Sequence, residues 1–270
     1  MEVIEKQIPH TRPDIFHIYA LGDIHAGSIN CAEDEIKTKV QEIKERKNAY
    51  WVGMGDYADC ITEKDYRFEI KGLAPWVSPD NIVESQRAFL KKLFQPIAPK
   101  CLAFLTGNHE ELIHREHSND ITRNLCGDLN LPYGGYHSFL VLHFARGNTG
   151  SRREYKLHLW HGAGSAQTEG ARLMRLVRLV NDIEASIYLM GHLHAMTNYT
   201  PDRLKCEKGK VKSTQLIAQM TGSWLKAYMQ PEKGQTLNPT YIEKKGYKPS
   251  RIGCPIIHIN PDKDNISVES

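Results

Sequence analysis

Short apolar runs recur along the chain, and each ends in a loop rich in Gly, Asp, Asn or His. IFHIYAL (15–21) leads into GDIHAG, AYWVGM (49–54) into GDYADC, and KCLAFLT (100–106) into GNHEE. KLHLW (156–160) leads into HGAGS, and ASIYLM (185–190) into GHLH. The runs are short, β-branched or aromatic, and bounded by glycine, which suits buried strands. Between them lie polar stretches with apolar residues at helical spacing. Residues 32–47 place Ile36, Val40 and Ile43 at i, i+4 and i+7. Residues 80–94 predict a second helix with Asp80 or Asn81 as its cap. Residues 168–184 predict a third, with Leu173, Leu176, Val177 and Val180 on one face. Alternation of strand, loop and helix predicts an α/β fold, with ligand chemistry where the strands end.

The segment 57–100 is longer than a plain crossover needs. IKGLAPWVSP (70–79) breaks it with Gly and two Pro, which predicts two helical pieces around a loop. Residues 136–160 read as a hairpin of two apolar strands around RGNTGSRRE. The C-terminal third mixes short strands such as CPIIHI (254–259) with turns. We expect it to complete a second sheet. The expectation is one domain over 1–270, with a helical insertion at about 57–100.

Composition narrows the class. The chain has 270 residues, 40% hydrophobic and 25% charged, which suits a globular protein with one large core or two small ones. A net charge of +3 is too weak to imply nucleic-acid binding by itself. The N-terminus has no long apolar core of the signal-peptide kind. Apolar stretches such as SFLVLHFA (138–145) fall far below the roughly 18–20 residues that span a membrane. We therefore expect a cytoplasmic protein without membrane contact. Six cysteines without a C-x-x-C pair predict reduced, structural thiols.

The loops after the five strand-like runs carry Asp23, His25, Asp56, Asn108, His109, His161, His192 and His194. Any one of these loops reads equally well as a turn. Five in order, each after a strand, do not. Imidazole and carboxylate donors without cysteine suit Mn²⁺, Fe, Zn²⁺ or similar ions in five- or six-coordinate sites.

On these residues the chain resembles the calcineurin-like metallophosphoesterases, whose pattern runs D-x-H, G-D-x-x-D, G-N-H-[DE], H and G-H-x-H. The matching pieces are GDIHAG, GDYAD, GNHE, WHG and GHLH, spanning residues 22–194. The resemblance implies a four-layer α/β/β/α sandwich with two mixed sheets. It also implies two divalent ions (Mn²⁺, Fe²⁺/Fe³⁺ or Zn²⁺). One would be held by Asp23, His25 and His194, the other by Asn108, His161 and His192, with Asp56 bridging both. The physics agrees, since two cations about 3.5–4 Å apart need a shared carboxylate between them, and together they turn a bridging water into hydroxide at neutral pH. The same resemblance casts His109 as general acid or charge stabiliser, oriented by the carboxylate of Asp59. Glu110, Glu111, His114 and His117 read as solvated or supporting positions.

Protein phosphatases of this family carry an arginine directly after G-D-x-x-D. Here that position is Cys60, which argues against a phosphoprotein substrate. The GHLH and GNHE forms are shared with phosphodiesterase branches. The favoured expectation is a phosphodiesterase acting on nucleotides, cyclic nucleotides or nucleic acid through a metal-bridging hydroxide. The alternatives are a phosphomonoesterase with the same site and a metal-binding module without catalysis, and the intact ligand set argues against the latter. Three features could bind a polyanion: Arg172, Arg175 and Arg178 on one helix, the basic stretch RLKCEKGKVK (203–212), and RGNTGSRRE (146–154). The aromatics Trp160, Trp224, Tyr57 and Tyr228 could stack on a base. The segments 57–100 and 221–229 are where substrate choice is expected to reside.

Overall fold

A computed structural model describes residues 1–147, 152–207, 209–229, 240–246, 248–249 and 251–270, with the side chains of 207 and 241 not described. The five apolar runs all lie in strands: β2 (Phe16–Leu21), β3 (Ala49–Gly53), β4 (Cys101–Leu105), β7 (Arg152–Trp160) and β8 (Ile187–Met190). The remaining long strands are β1 (Glu2–Pro9), β6 (His137–Ala145) and, near the C-terminus, β13 (Ile256–Asn260) and β14 (Asn265–Glu269). Of three short strands, β5 (Tyr133–Gly135) and β9 (Asn198–Tyr199) are edges, and β12 (Ile217–Met220) lies between β8 and β9.

These strands form two six-stranded mixed sheets. One has the order β14-β13-β2-β3-β4-β5, the other β1-β6-β7-β8-β12-β9. Alternation along β2 shows how they stack. Ile18 and Ala20 face the layer between the sheets, with Leu140, Leu157 and Leu189 from the opposite sheet. Tyr19 and Leu21 point the other way, into the core shared with α1 (Glu33–Glu45), α2 (Ile82–Phe94) and α4 (Ile121–Leu129). On the far side, Leu176 and Val180 of α5 (Glu169–Asp182) pack on Tyr188 and Met190. The result is the four-layer α/β/β/α sandwich.

Local chemistry accounts for the element ends, with some departures from the sequence pattern. Helix α1 buries Ile36, Val40 and Ile43, the spacing read from the sequence. Thr168 caps α5 by accepting the Ala171 N–H at 3.2 Å. Neither expected cap of α2 bonds through its side chain, because a single 3₁₀ turn, Pro79–Asn81, leads into the helix instead. Leu173 stays exposed near the start of α5, whose buried face is Leu176, Leu179 and Val180. Before α2 there is only one further 3₁₀ turn, Ile70–Gly72, so the first half of 57–100 is a loop stitched by turns. Residues 202–215 form a separate two-stranded ribbon, β10 (Asp202–Glu207) with β11 (Lys210–Gln215). The tip of the 146–154 loop, 148–151, lies outside the described residues.

Candidate metal centre and cleft

Strands β2, β3 and β4 run parallel, as do β7 and β8, so their C-terminal ends bring the five loops together. The loops are laced directly. The main-chain N–H of Asp23 donates to Gly55 O, and those of Ile24 and His25 to Asp56 O, while Gly191 donates to Trp160 O. Glycines make this approach possible. A Cβ on Gly107 would collide with the main chain and carboxylate of Asp56, and one on Gly55 would lie 2.6 Å from His161 Nδ1.

The side chains converge in three overlapping groups: Asp23, His25 and His194; His25, Asp56 and His109; Asp56, His161 and His192. Within each, the donor atoms lie within 4.8 Å of one another. Asn108 Oδ1 joins the third group, 3.0 Å from His161 Nε2 and 2.7 Å from His192 Nδ1. His194 Nε2 is 3.3 Å from Asp23 and 3.1 Å from His25 Nε2. His161 Nε2 is 3.3 Å from Asp56.

The outward nitrogens explain the orientation. His161 Nδ1–H donates to Met54 O at 2.7 Å, His192 Nε2–H to Gly164 O at 2.9 Å, and His25 Nδ1–H to Asp59 Oδ1 at 3.3 Å. Each such bond fixes the tautomer and leaves the inward nitrogen as a lone pair. Two lone pairs facing one acceptor, as at Asn108 Oδ1, repel unless a cation lies between. The donor set therefore fits divalent metal ions. Without them, protons serve: burial lowers His161, but the charge of Asp56 outweighs it and holds the imidazole at about 10. Asp56 in turn stays well below the ordinary carboxylate range, burial opposing and His161 prevailing.

Five of these residues have left-handed backbones: Asp23 (φ 49°), His25 (52°), Asp56 (51°), His192 (69°) and His194 (48°). That conformation is uncommon outside glycine and marks functional sites.

Several expected details differ. Asp59 reaches His109 through its main-chain carbonyl, which accepts from Nδ1, while its carboxylate orients His25. The left-handed Cys60 (φ 53°) follows immediately and turns the chain back there. Of the arginine stripe, only Arg172 lines the cleft. Arg175 is spent on the carbonyls of Ala163 and Ser165, and Arg178, exposed one turn on, does not line it. Tyr57 and Trp224 are core, so neither can stack on a ligand. Glu110 is buried and accepts the N–H groups of Asp56, Tyr57, Ala58 and Gly107 at 2.7–3.0 Å. Burial, joined by the Asp56 charge, pushes its carboxyl up to about 7. Its signal in the sequence is a glutamate at the third helical position of α3 (Asn108–His117), where a side chain reaches back to the preceding loop.

Over this floor opens a cleft of about 1240 Å³, walled by residues of the loop at 66–73, of 164–168 and of α6 (Tyr241–Lys245).

The comparisons with known proteins follow the same residues. A family model described as calcineurin-like phosphoesterase matches residues 16–196. The chain belongs to the calcineurin-like phosphoesterase family. Such proteins are hydrolases of phosphate esters that bind divalent metals, and the cluster of this phosphoesterase could hold them. No curated protein matched it. Among solved structures it is similar to a conserved uncharacterised protein of Streptococcus pneumoniae, a predicted phosphoesterase. That likeness has 13% identity and a TM-score of 0.35, over 91% of this chain and 84% of that one. It is also similar to GAP50, the anchor in the inner membrane complex of Plasmodium, with 13% identity and a TM-score of 0.42. There the overlay covers 94% of this chain and 83% of that one. Both overlays are loose. No helix among the described residues of the phosphoesterase is long and apolar enough to cross a membrane.

Proposed function

We propose that this phosphoesterase is a phosphodiesterase that uses two divalent ions, Mn²⁺, Fe or Zn²⁺, on nucleotides, cyclic nucleotides or nucleic acid. The observation that carries this reading is the three-part cluster in which Asp56 faces both His25 and His161. Asp23, His25 and His194 would hold one ion, and Asn108, His161 and His192 the other, with Asp56 shared. When bound, the ions supply Lewis acidity toward phosphate oxygens and a supply of hydroxide at neutral pH.

The chain itself does the rest. His109 Nδ1–H is tied to the Asp59 carbonyl, which leaves Nε2 to face a leaving group. Burial lowers its pKa, but the charges of Asp56 and Asp59 raise it more, so the ring holds a proton to donate. Glu110 fixes the loop that carries Asp56. Cys60, in place of the arginine of the protein phosphatases, favours diesters over phosphoproteins.

The test is hydrolysis of bis-aryl against mono-aryl phosphate by protein loaded with Mn²⁺. We expect the diester to be preferred and Asp56→Asn to lose metal and activity together. Preference for the monoester, or full metal content and full rate in Asp56→Asn, would overturn the reading.

A further inference from the structure

Above the metal cluster, the cleft walls carry chemistry that cleavage of a small phosphodiester does not need. Seven lining residues are Lys or Arg, against Asp56 and Asp59 of the floor and Glu69 of the wall. In a chain of net charge +3, that concentrates the positive charge over the site. Four of these cations sit on two stretches: Arg67 and Lys71 in the loop after Asp59, Lys244 and Lys248 in and after α6 (Tyr241–Lys245). Two of their ion pairs are exposed. Lys244 meets Glu69 at 3.1 Å and Lys248 meets Glu169 at 3.2 Å. Pairs of this kind are weak and exchange readily for another anion.

The same loop offers an aromatic platform. Tyr66 is 90% exposed, with Phe68 beside it in the lining. The loop is held rather than loose. Asp65 binds Arg67 through both carboxylate oxygens, at 2.9 and 2.6 Å, and accepts its main-chain N–H at 2.8 Å. The Arg67 guanidinium lies 5.9 Å from the Tyr66 ring. A positively charged groove with interleaved aromatics is the composition that binds unpaired nucleotides, phosphates on the cations and bases on the rings. The cleft, about 1240 Å³, also exceeds the roughly 300–1,000 Å³ of small-ligand pockets.

We infer that the substrate is single-stranded nucleic acid, threaded between the loop at 66–71 and α6 so that one phosphodiester lies on the metal cluster. Tyr66 and Phe68 stack bases, while Lys71 and Lys244 hold flanking phosphates. This rests on the phosphodiesterase reading and narrows it from nucleotides at large to an extended strand.

Binding can be measured apart from turnover. Fluorescein-labelled dT12 and U12 are titrated with the full chain in EDTA, by anisotropy, at several salt concentrations. Lys71→Ala/Lys244→Ala, one cation from each wall, is expected to weaken binding at least tenfold and to reduce the log–log salt slope by about 1.4. Tyr66→Ala should weaken it roughly tenfold with little change of slope. Lys47→Ala, outside the cleft, is the control. Wild-type affinity and slope in the double variant would overturn the inference, as would a phosphoserine peptide that competes as well as dT12. Turnover with Mn²⁺ separates the two levels. Hydrolysis of bis-aryl phosphate with both oligonucleotides left intact would end the single-strand assignment and leave the phosphodiesterase reading in place. No hydrolysis of any phosphate ester would overturn that reading, while the titration still decides what the cleft binds.

Discussion

His109 shows how much of a site depends on one hydrogen bond. The residue follows a candidate ligand, and its main-chain N–H donates to Asp56 Oδ1 at 2.9 Å. Its ring packs edge-on against His25, with centroids 4.7 Å apart. Because the Asp59 carbonyl takes Nδ1–H, the ring cannot easily turn. His109→Ala is expected to keep the metal content and to lower kcat by about 10²–10⁴, most for poor leaving groups. Metal analysis beside a leaving-group series checks this, and an unchanged kcat would remove His109 from the mechanism. At this scale the sequence was most legible for residue type and least for direction. The motifs named all eight side chains that meet in the cluster. They could not show which oxygen of Asp59 faces which histidine, since the left-handed turn at Cys60 decides that. Nor could they show that Glu110 gathers four main-chain donors, because a glutamate in a first helical turn is more often solvated. Tyr66 and Arg67 carried no motif. Their meaning comes from the wall they share.

Elements were legible where burial enforces a period. Strands β2, β3, β4 and β8 are buried nearly throughout and read as continuous apolar runs. Helix α5 was legible in extent but not in use, because Arg172 and Arg175 reach loop carbonyls that no spacing reveals. The β6–β7 pair leads to a prediction of its own. His137, opposite Trp160 at the end of the ladder, and His158, opposite Phe139, meet diagonally through their Nε2 atoms. Burial lowers both, and His158, fully buried, is held at about 4. The unfolded chain binds a proton near 6.5, the folded one only near 4. Between those values the unfolded state holds more protons, so stability rises with pH and is lost as pH falls through the window. Urea unfolding from pH 7 to 4 should show that slope, and His158→Phe should flatten it. A slope unchanged in the variant would assign the acid loss to other groups, of which His17, also lowered to about 4 chiefly by burial, is the first candidate.

For the whole molecule, the decisive fact is that candidate ligands from 23 to 194 meet only because two sheets stack with their strand ends aligned. Spacing along the chain does not encode that alignment. It follows from strand order, with β2 central in one sheet and β7 and β8 central in the other. The cluster thus ties the sheets together: Asp23 accepts the His192 N–H at 3.0 Å, and Trp224 N donates to Asp23 O at 2.9 Å. An ion bound between Asp23, His25 and His194 would clamp both sheets at once, and would bind only the folded chain. At a concentration one hundred times its Kd, such a ligand adds about 2.7 kcal/mol to stability. For a domain of this size that corresponds to roughly 5–10 °C in Tm. Thermal unfolding should therefore shift upward by that amount with Mn²⁺ and return on chelation. Asp56→Asn should unfold at a temperature that no longer depends on metal, since both proposed sites would share that carboxylate. A wild-type Tm indifferent to every divalent ion would mean that the cluster does not bind across the two sheets, whatever its geometry.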